Sequence, residues 1–424
     1  MAYLWAGKNL HWMRILYQLF VWIYWVGSGI AARFSPKVKL WRKGRKGQFS
    51  RMQAVEQGGQ PLAWFHCASL GEFEQGRPVI EAFRGAFPDY RILLTFFSPS
   101  GYEIRKNYEQ ADYVFYLPFD TPGQVKRFFE IWDPVVAVFV KYEFWFNFFD
   151  TLFSKGIPSL VISANFRPDQ HFFKPYGGWF RRQLRKLSFI FVQNQASLDL
   201  LHEAGIENAA ISGDTRFDRV AAIAERPVAF PQLKAFTEGH QILVAGSTWP
   251  ADEEMLLPLI KDEAIDLKYI IAPHEIHVNH IAALKTQIGE RVEVFSEIQQ
   301  EVHPQTRVLI INRIGLLSGL YRLGTMAYIG GGFGRGIHNI LEAVTFGLPV
   351  FFGPRYHTFA EAVELQQRGG AFPVREQGQL REGVKALLEK PGKLQGASAI
   401  CREFIEEKKG ATRIIIDYLK VILA

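Results

Sequence analysis

From residue 60 onward, short apolar runs alternate with segments of helical spacing. Residues 63–66 form the first run and lead into a helical pattern over 72–83. Further strand-like runs follow at 91–97, 113–117, 135–140, 159–162 and 189–192. A second series begins at 241–245 and continues through 268–272, 308–311, 326–329 and 350–352. Strands alternating with helices predict parallel sheets joined by right-handed crossovers. At 424 residues the chain exceeds one ordinary core. The expected class is therefore α/β, with two doubly wound domains in tandem and a ligand cleft between them. A Pro-containing stretch, Glu225 to Pro231, suggests the join. The expected boundaries are an N-terminal segment 1–51, a first domain 52–224, a linker 225–237, a second domain 238–397 and a C-terminal helical segment 398–424. That last segment is expected to pack back toward the first domain.

The N-terminal segment departs from this pattern. Residues 15–32 carry no charge and are rich in Trp and Tyr. Eighteen helical residues reach about 27 Å, barely a bilayer's hydrocarbon thickness. Seven basic residues follow between Arg33 and Lys46. Such a flank favours cytoplasmic retention and attracts anionic headgroups. A cleaved signal peptide places its basic flank before the apolar run, the reverse of the order here. Membrane attachment is expected, as a span or as an interfacial helix; a buried core helix is the bland alternative. Residues 1–51 hold ten Lys or Arg and no acid, so the whole-chain charge of +7 leaves the remainder near −3. A generally basic, nucleic-acid-binding surface is not implied.

Candidate chemistry concentrates in Ala327 to Glu342, a buried strand, a glycine-rich turn and the expected start of a helix. Glycine permits positive φ and close approach of backbone to a ligand. Exposed N–H groups of a helix start attract phosphate. Glu342 stands four residues after His338, which on a helix places both on one face. The P-loop ending Gly-Lys-Ser/Thr is absent, and Gly332, Gly334 and Gly336 alternate, unlike the dinucleotide fingerprint. A nucleotide pocket is the expectation, with a purely structural turn as the alternative.

In the first domain, Ser69-Leu70-Gly71-Glu72 sits where a strand hands over to a helix. A carboxylate at a strand's carboxyl end can act as general base; an ordinary first-turn Glu favoured by the helix dipole is the competing reading. Glu143, after an apolar strand and among aromatics, is a second acidic candidate. Arg216 can reach an anion or form a surface salt bridge. Ser247 and Thr248 can offer hydroxyls to phosphate or merely cap a helix. Lys174, Arg181, Arg182, Arg185 and Lys186, interleaved with aromatics, suit a membrane surface or a phosphorylated lipid. Two distant cysteines, Cys67 and Cys401, and the absence of HExxH make a metal site unexpected.

Taken together, these motifs resemble the 3-deoxy-D-manno-oct-2-ulosonic acid (Kdo) transferases of lipopolysaccharide assembly. The resemblance runs from about residue 12 to the C-terminus. It rests on Ser69 to Glu72, Ser98 to Glu103, Leu117 to Gly123, Glu143-Phe144-Trp145, Gly213 to Asp218, Gly246-Ser247-Thr248, Gly336 to Glu342, and Gly353-Pro354 through Glu361. It implies the GT-B fold of two Rossmann-like domains. The activity implied is inverting transfer of Kdo from CMP-Kdo to a lipid A precursor, with neither metal nor cofactor. An enzyme at the cytoplasmic face of the inner membrane is implied, with no nucleic-acid partner. Glu72 matches the family's base, Glu143 a conserved acidic position, and Ser69, Gly71 and Lys174 are assigned to the acceptor. Arg216, Ser247, Thr248, Pro273, His274, Gly331, Gly332, Gly334, Gly336, His338, Asn339 and Glu342 are assigned to the donor. Three segments depart from the family pattern. Pro273-His274 replaces the usual Pro-Arg, Lys141-Tyr142-Glu143 replaces Glu-Thr-Glu, and Ser163-Ala164-Asn165 stands for Asn-Ala-Arg. His274 should bind an anion more weakly than Arg, and with pH dependence. A nucleotide-sugar 2-epimerase of the same fold and a non-catalytic membrane scaffold are the alternatives.

Overall fold

The computed structural model describes the backbone of residues 2–56, 58–141 and 144–424, with side chains from residue 12 onward in those ranges. The chain divides into two compact units, Met1–Asp218 with Gly410–Ala424, and Arg219–Lys409. The stretch 225–237 lies inside the second unit.

The first unit is built on β1 (Leu62–Cys67), β2 (Arg91–Phe96), β3 (Tyr113–Tyr116), β4 (Pro134–Val140), β5 (Ser159–Ala164), β6 (Phe189–Val192) and β7 (Ala209–Ile211). They pair in parallel in the order β3-β2-β1-β4-β5-β6-β7. Side chains alternate across a strand, and both faces of this sheet are covered. Trp64 of β1 enters an aromatic layer with Phe128, Phe139 and Phe148. Ala63, Phe65 and Cys67 enter the opposite layer with Phe73 and Phe83. Strands buried on both sides read as continuous apolar runs, which is why β4 was legible as one.

The second unit repeats the plan with β8 (Ile242–Thr248), β9 (Lys268–Pro273), β10 (Val292–Val294), β11 (Val308–Ile310), β12 (Met326–Ile329), β13 (Val350–Phe352) and β14 (Ala371–Pro373). Their order is β10-β11-β9-β8-β12-β13-β14, again parallel. The two strands not expected from sequence, β10 and β14, are three-residue edge strands. Short edges are common because long ones invite aggregation, and three residues are too few to show a period.

The C-terminal segment, expected as one helical stretch, is two helices. Gly410 at φ 118° breaks it into Pro391–Lys408 and Ala411–Leu423, and only the latter belongs to the first unit. There Ile415, Ile416 and Leu419 enter the layer containing Phe65. Asp218 accepts from the N–H groups of Gly410 and Thr412 at 2.6 and 2.9 Å, fixing the start of this helix.

The N-terminal segment forms α1 (Ala2–Ala31) and α2 (Pro36–Arg45), bent by 120° to one another. Among the described residues no single helix is long and apolar enough to cross a membrane, although the bent pair passes that test together. One stripe of α1 lies on the first unit through Tyr17, Val21, Trp25 and Ser28. The other stripe leaves Trp12, Phe20, Trp22 and Ile30 each more than half exposed. The basic flank is less available to lipid than its composition suggested. Arg42 stacks on Trp25 and donates to Ser28 Oγ at 2.7 Å. Arg45 is buried between Trp41, Phe97 and Tyr116, and burial lowers its guanidinium to about 9.

A buried carboxylate anchors α1. Asp120 accepts from Tyr17 Oη and from the N–H groups of Asn147 and Phe148, both at 3.1 Å, at the start of the helix Phe146–Ser154. Burial pushes its carboxyl up to about 6, against those hydrogen bonds. A value raised in the folded state gives stability that is complete below about pH 4 and lost as pH rises through 6. In urea unfolding, the advantage of wild type over Asp120→Asn should therefore shrink between about pH 4 and 6. An advantage that grows with pH would show that the ionised form is the preferred one.

Candidate active site

In a doubly wound sheet the crossovers reverse direction at one point, and the loops there diverge at the carboxyl ends of the strands. That point falls between β1 and β4 in the first unit and between β8 and β12 in the second. The strongest sequence candidates follow these four strands.

After β1, Ser69 precedes the helix Leu70–Ala86. Its N–H and Oγ both donate to Glu72 Oε2, at 2.8 and 2.9 Å. A carboxylate at the third helical position reaching back to the N-cap N–H is a capping box. Glu72 is thus a first-turn Glu of structural use, half-buried and held in direction at the carboxyl end of β1. Gly71 is exposed beside it. After β4 the chain turns through Lys141, at φ 66°. Tyr142 and Glu143 lie outside the described residues. Beyond them Trp145 Nε1 donates to His66 Nε2 at 3.0 Å. The other ring nitrogen of His66 lies 3.1 Å from the Thr95 carbonyl oxygen, an acceptor only, so Nδ1 carries the proton. This buried strut across the carboxyl ends of the sheet had no sequence signal.

Two sets of charged residues in the first unit are engaged locally. Arg216 folds onto Asp214, with Nε and Nη2 at 2.8 and 2.7 Å from Oδ2. This is the salt-bridge reading, and the residue lies in the first unit while the other donor assignments from Ser247 onward lie in the second. The basic–aromatic patch is not one exposed face. Arg181 donates to the Phe172 and Lys174 carbonyls, Arg185 to those of Ala204 and Gly205, and Lys186 pairs with Asp150. Phe172 and Trp179 are buried. Lys174 itself is half-buried just after the short helix His171–Phe173.

In the second unit the glycine loop packs backbone against backbone. A Cβ on Gly330 would stand 2.1 Å from the Ser247 carbonyl oxygen, and one on Gly332 would stand 2.6 Å from Gly353. Gly331 and Gly336 take φ of 93° and 137°, open only to glycine at low cost. Gly334 is exposed and under no such constraint. Several loop N–H groups are engaged internally: Gly331 donates to Asp252 Oδ2 at 2.8 Å, Gly336 to Gly331 O at 3.2 Å, and His338 to Gly330 O at 3.0 Å.

This geometry overturns the shared helix face of His338 and Glu342. The helix is only Leu341–Val344, so His338 precedes it, and one turn has little dipole to offer phosphate. Instead three rings stack. Trp249 lies on His274 (centroids 4.5 Å apart) and His274 on His338 (4.6 Å). Trp249 Nε1 donates to His338 Nε2 at 3.1 Å. Burial, and then the charge of His274, hold His338 below its ordinary value, which suits the neutral acceptor seen here. Pro273 ends β9 opposite Thr248, placing His274 in this stack. Ser247 adopts φ 53° beside the loop. Thr248 is buried, and its hydroxyl donates to Glu253 at 3.0 Å rather than facing a ligand. Asn339 and Glu342 meet at 3.4 Å, and Ser318 donates to the same carboxylate.

Sequence reasoning passed over Trp249 and Asp252. Asp252 Oδ2 accepts from Trp249 N at 2.9 Å as well as from Gly331, and Oδ1 from Tyr328 Oη at 2.9 Å. The signal was a capping-box spacing, Trp249-Pro250-Ala251-Asp252, directly after β8.

Asp252→Ala should release the glycine loop and raise amide exchange over residues 330–336 about tenfold; unchanged protection would show that the loop holds without this carboxylate. His274→Arg should tighten binding of a nucleoside monophosphate, since a guanidinium is always charged and can pair with phosphate through two donors; unchanged affinity would remove His274 from phosphate contact.

Comparison with known proteins supplies the context. Residues 42–219 match the family described as 3-deoxy-D-manno-octulosonic-acid transferase (kdotransferase). The 3-deoxy-D-manno-octulosonic acid transferase of Aquifex aeolicus is 28% identical over 333 residues, covering 77% of this chain and 85% of that protein. That of Rickettsia bellii is 27% identical, covering 85% and 87%. Among solved structures, UDP-GlcNAc 2-epimerase from Neisseria meningitidis aligns with a TM-score of 0.58 at 16% identity, covering 84% of this chain and 98% of that one. At that identity the likeness is one of fold, and the fold is GT-B. Over most of its length the chain is thus similar to the 3-deoxy-D-manno-octulosonic acid transferases.

Proposed function

We propose that this enzyme transfers Kdo from CMP-Kdo to a lipid A precursor, with inversion and without a metal, at the cytoplasmic face of the inner membrane. The observation that carries the reading is Glu72, a carboxylate held by two donors at the carboxyl end of β1, in a chain similar to these transferases. In the proposed step Glu72 takes the proton of an acceptor sugar hydroxyl. The alkoxide oxygen forms a bond to the anomeric carbon of Kdo while that carbon's bond to the CMP phosphate oxygen breaks. The electron pair leaves on CMP, and attack opposite the leaving group inverts the centre. Glu143 is assigned to support the base, and Ser69, Gly71 and Lys174 to the acceptor.

The donor is assigned to the second unit. Gly331, Gly332 and Gly336 would let backbone approach the nucleotide. Glu342 and Asn339 would accept and donate to the ribose hydroxyls. The stacked His274 and His338, with Ser247, would face the phosphate. Developing charge on CMP would be stabilised by fixed dipoles and ring N–H donors. Because acceptor and donor are assigned to different units, alignment between them would supply much of the rate. The exposed apolar stripe of α1 supports an interfacial seat on the membrane, which would confine enzyme and lipid acceptor to one surface.

The test is CMP release from CMP-Kdo with and without a lipid A precursor, in EDTA, with mass analysis of the lipid. Wild type should show acceptor-dependent release and a lipid heavier by Kdo. Glu72→Gln keeps the capping box, since Gln serves equally at that position, and should lose about 10²–10⁴-fold in kcat. A folded Gln variant with wild-type turnover would remove Glu72 as base.

A further inference from the structure

The angle between α1 and α2 leaves a gap that neither helix fills. It is a cavity of about 490 Å³ walled by Tyr24, Gly27, Val38 and Trp41 and floored by Phe97 and Pro99. A second cavity of about 320 Å³ lies beyond Tyr24 and Phe97, which line both, and reaches Phe119 and Trp145. Each is of the size of a small-molecule site, about 300–1,000 Å³. We propose that this groove holds an acyl chain of the membrane-borne acceptor, an inference that rests on the transferase reading above.

Four observations carry it. First, the walls are fixed rather than collapsible. Trp41 Nε1 donates to the Phe97 carbonyl at 2.8 Å, Arg45 donates to the same oxygen at 2.9 Å, and Gly44 brings α2 so close to Tyr116 that a Cβ would stand 2.1 Å from its ring. The gap between the helices is thus framed by contacts among its own wall, its floor and the strand behind them. Second, the lining is dry in character. The hydroxyl of Ser28, a polar residue of the wall, donates to Trp25 O at 2.6 Å and accepts from Arg42 at 2.7 Å. An apolar occupant leaves the Ser28 hydroxyl fully bonded.

Third, the groove joins two places that an acylated acceptor must occupy together. Its outer wall is α1, whose opposite stripe presents exposed Trp22, Ile23 and Ile30. Its floor is bonded to the loop of the proposed base, since Phe97 and Ser98 donate N–H to the Ala68 carbonyl at 3.2 and 2.6 Å, one residue before Ser69. Fourth, Lys37 stands at its edge, fitting an occupant with an anionic head and an apolar tail.

Gly27 provides the test. A Cβ there meets nothing within 4 Å, whereas one on Gly29 would lie 3.5 Å from the Arg42 guanidinium. Gly27→Trp therefore starts from an open position in the wall and occupies groove volume, and replacing an interior helical glycine does not weaken the helix. In full-length enzyme, kcat/KM would be measured for the acylated lipid A precursor and for its deacylated glycan. In wild type the acylated form should be preferred. The substitution should cut that preference roughly tenfold, through KM. A preference as large as in wild type would overturn the proposal. In parallel, a photoreactive long-chain fatty acid in detergent micelles should label the stretches 24–41 or 97–99 in wild type and lose this labelling in Gly27→Trp. Labelling confined to the outer stripe of α1 and unaffected by the substitution would also overturn it. Should wild type transfer Kdo to neither acceptor, the transferase reading fails, while the labelling still decides whether the groove takes an acyl chain.

Discussion

The candidate chemistry depends on one constraint, the reversal of strand order in each sheet. A parallel sheet covered on both faces has its backbone groups paired and its side chains packed, so ligands meet it only at strand ends. Where successive crossovers go to opposite sides, the loops part and leave a crevice. In this chain those points lie at β1/β4 and β8/β12. The capping box of Glu72, Trp145 of the ring strut, the glycine loop, and Trp249 and His338 of the ring stack all follow those strands, while His66 lies near the end of β1 and His274 follows the neighbouring β9.

At the second of these points, steric contact selects the residues. The backbone at Gly330 lies on the Ser247 carbonyl, and that at Gly332 lies on Gly353. A single methyl group at either position would push apart the carboxyl ends of neighbouring strands. The loop is then tied beneath by Asp252, whose carboxyl burial pushes up while three donors pull it down. A loop held so closely can offer a fixed set of groups to a ligand without ordering them on binding, which lowers the entropic cost of association.

Much of this was legible in the sequence, for identifiable reasons. The buried strands announced themselves because covering both faces turns a strand into a continuous apolar run. The edge strands β10 and β14 were too short to carry a pattern. Glu72, the glycines and Asn339 stood out because motif spacing is a local property. What failed was inference that assumed a helix. His338 and Glu342 looked like neighbours on one face, but the loop continues to Ile340 and gives His338 to ring stacking instead. Arg216 and the cations near Arg181 looked available because composition shows charge without showing its partner. Trp249, Asp252 and the groove beside Gly27 depend on contacts between distant segments, which no single-sequence period reports.

The central claim is that a CMP-bearing donor binds at the carboxyl ends of β8 and β12. Hydrogen–deuterium exchange of the full-length enzyme, with and without saturating CMP, tests it most directly. The account predicts protection confined to the peptides around 246–249, 273–274 and 330–342. Protection elsewhere, with these three segments unchanged, would contradict it.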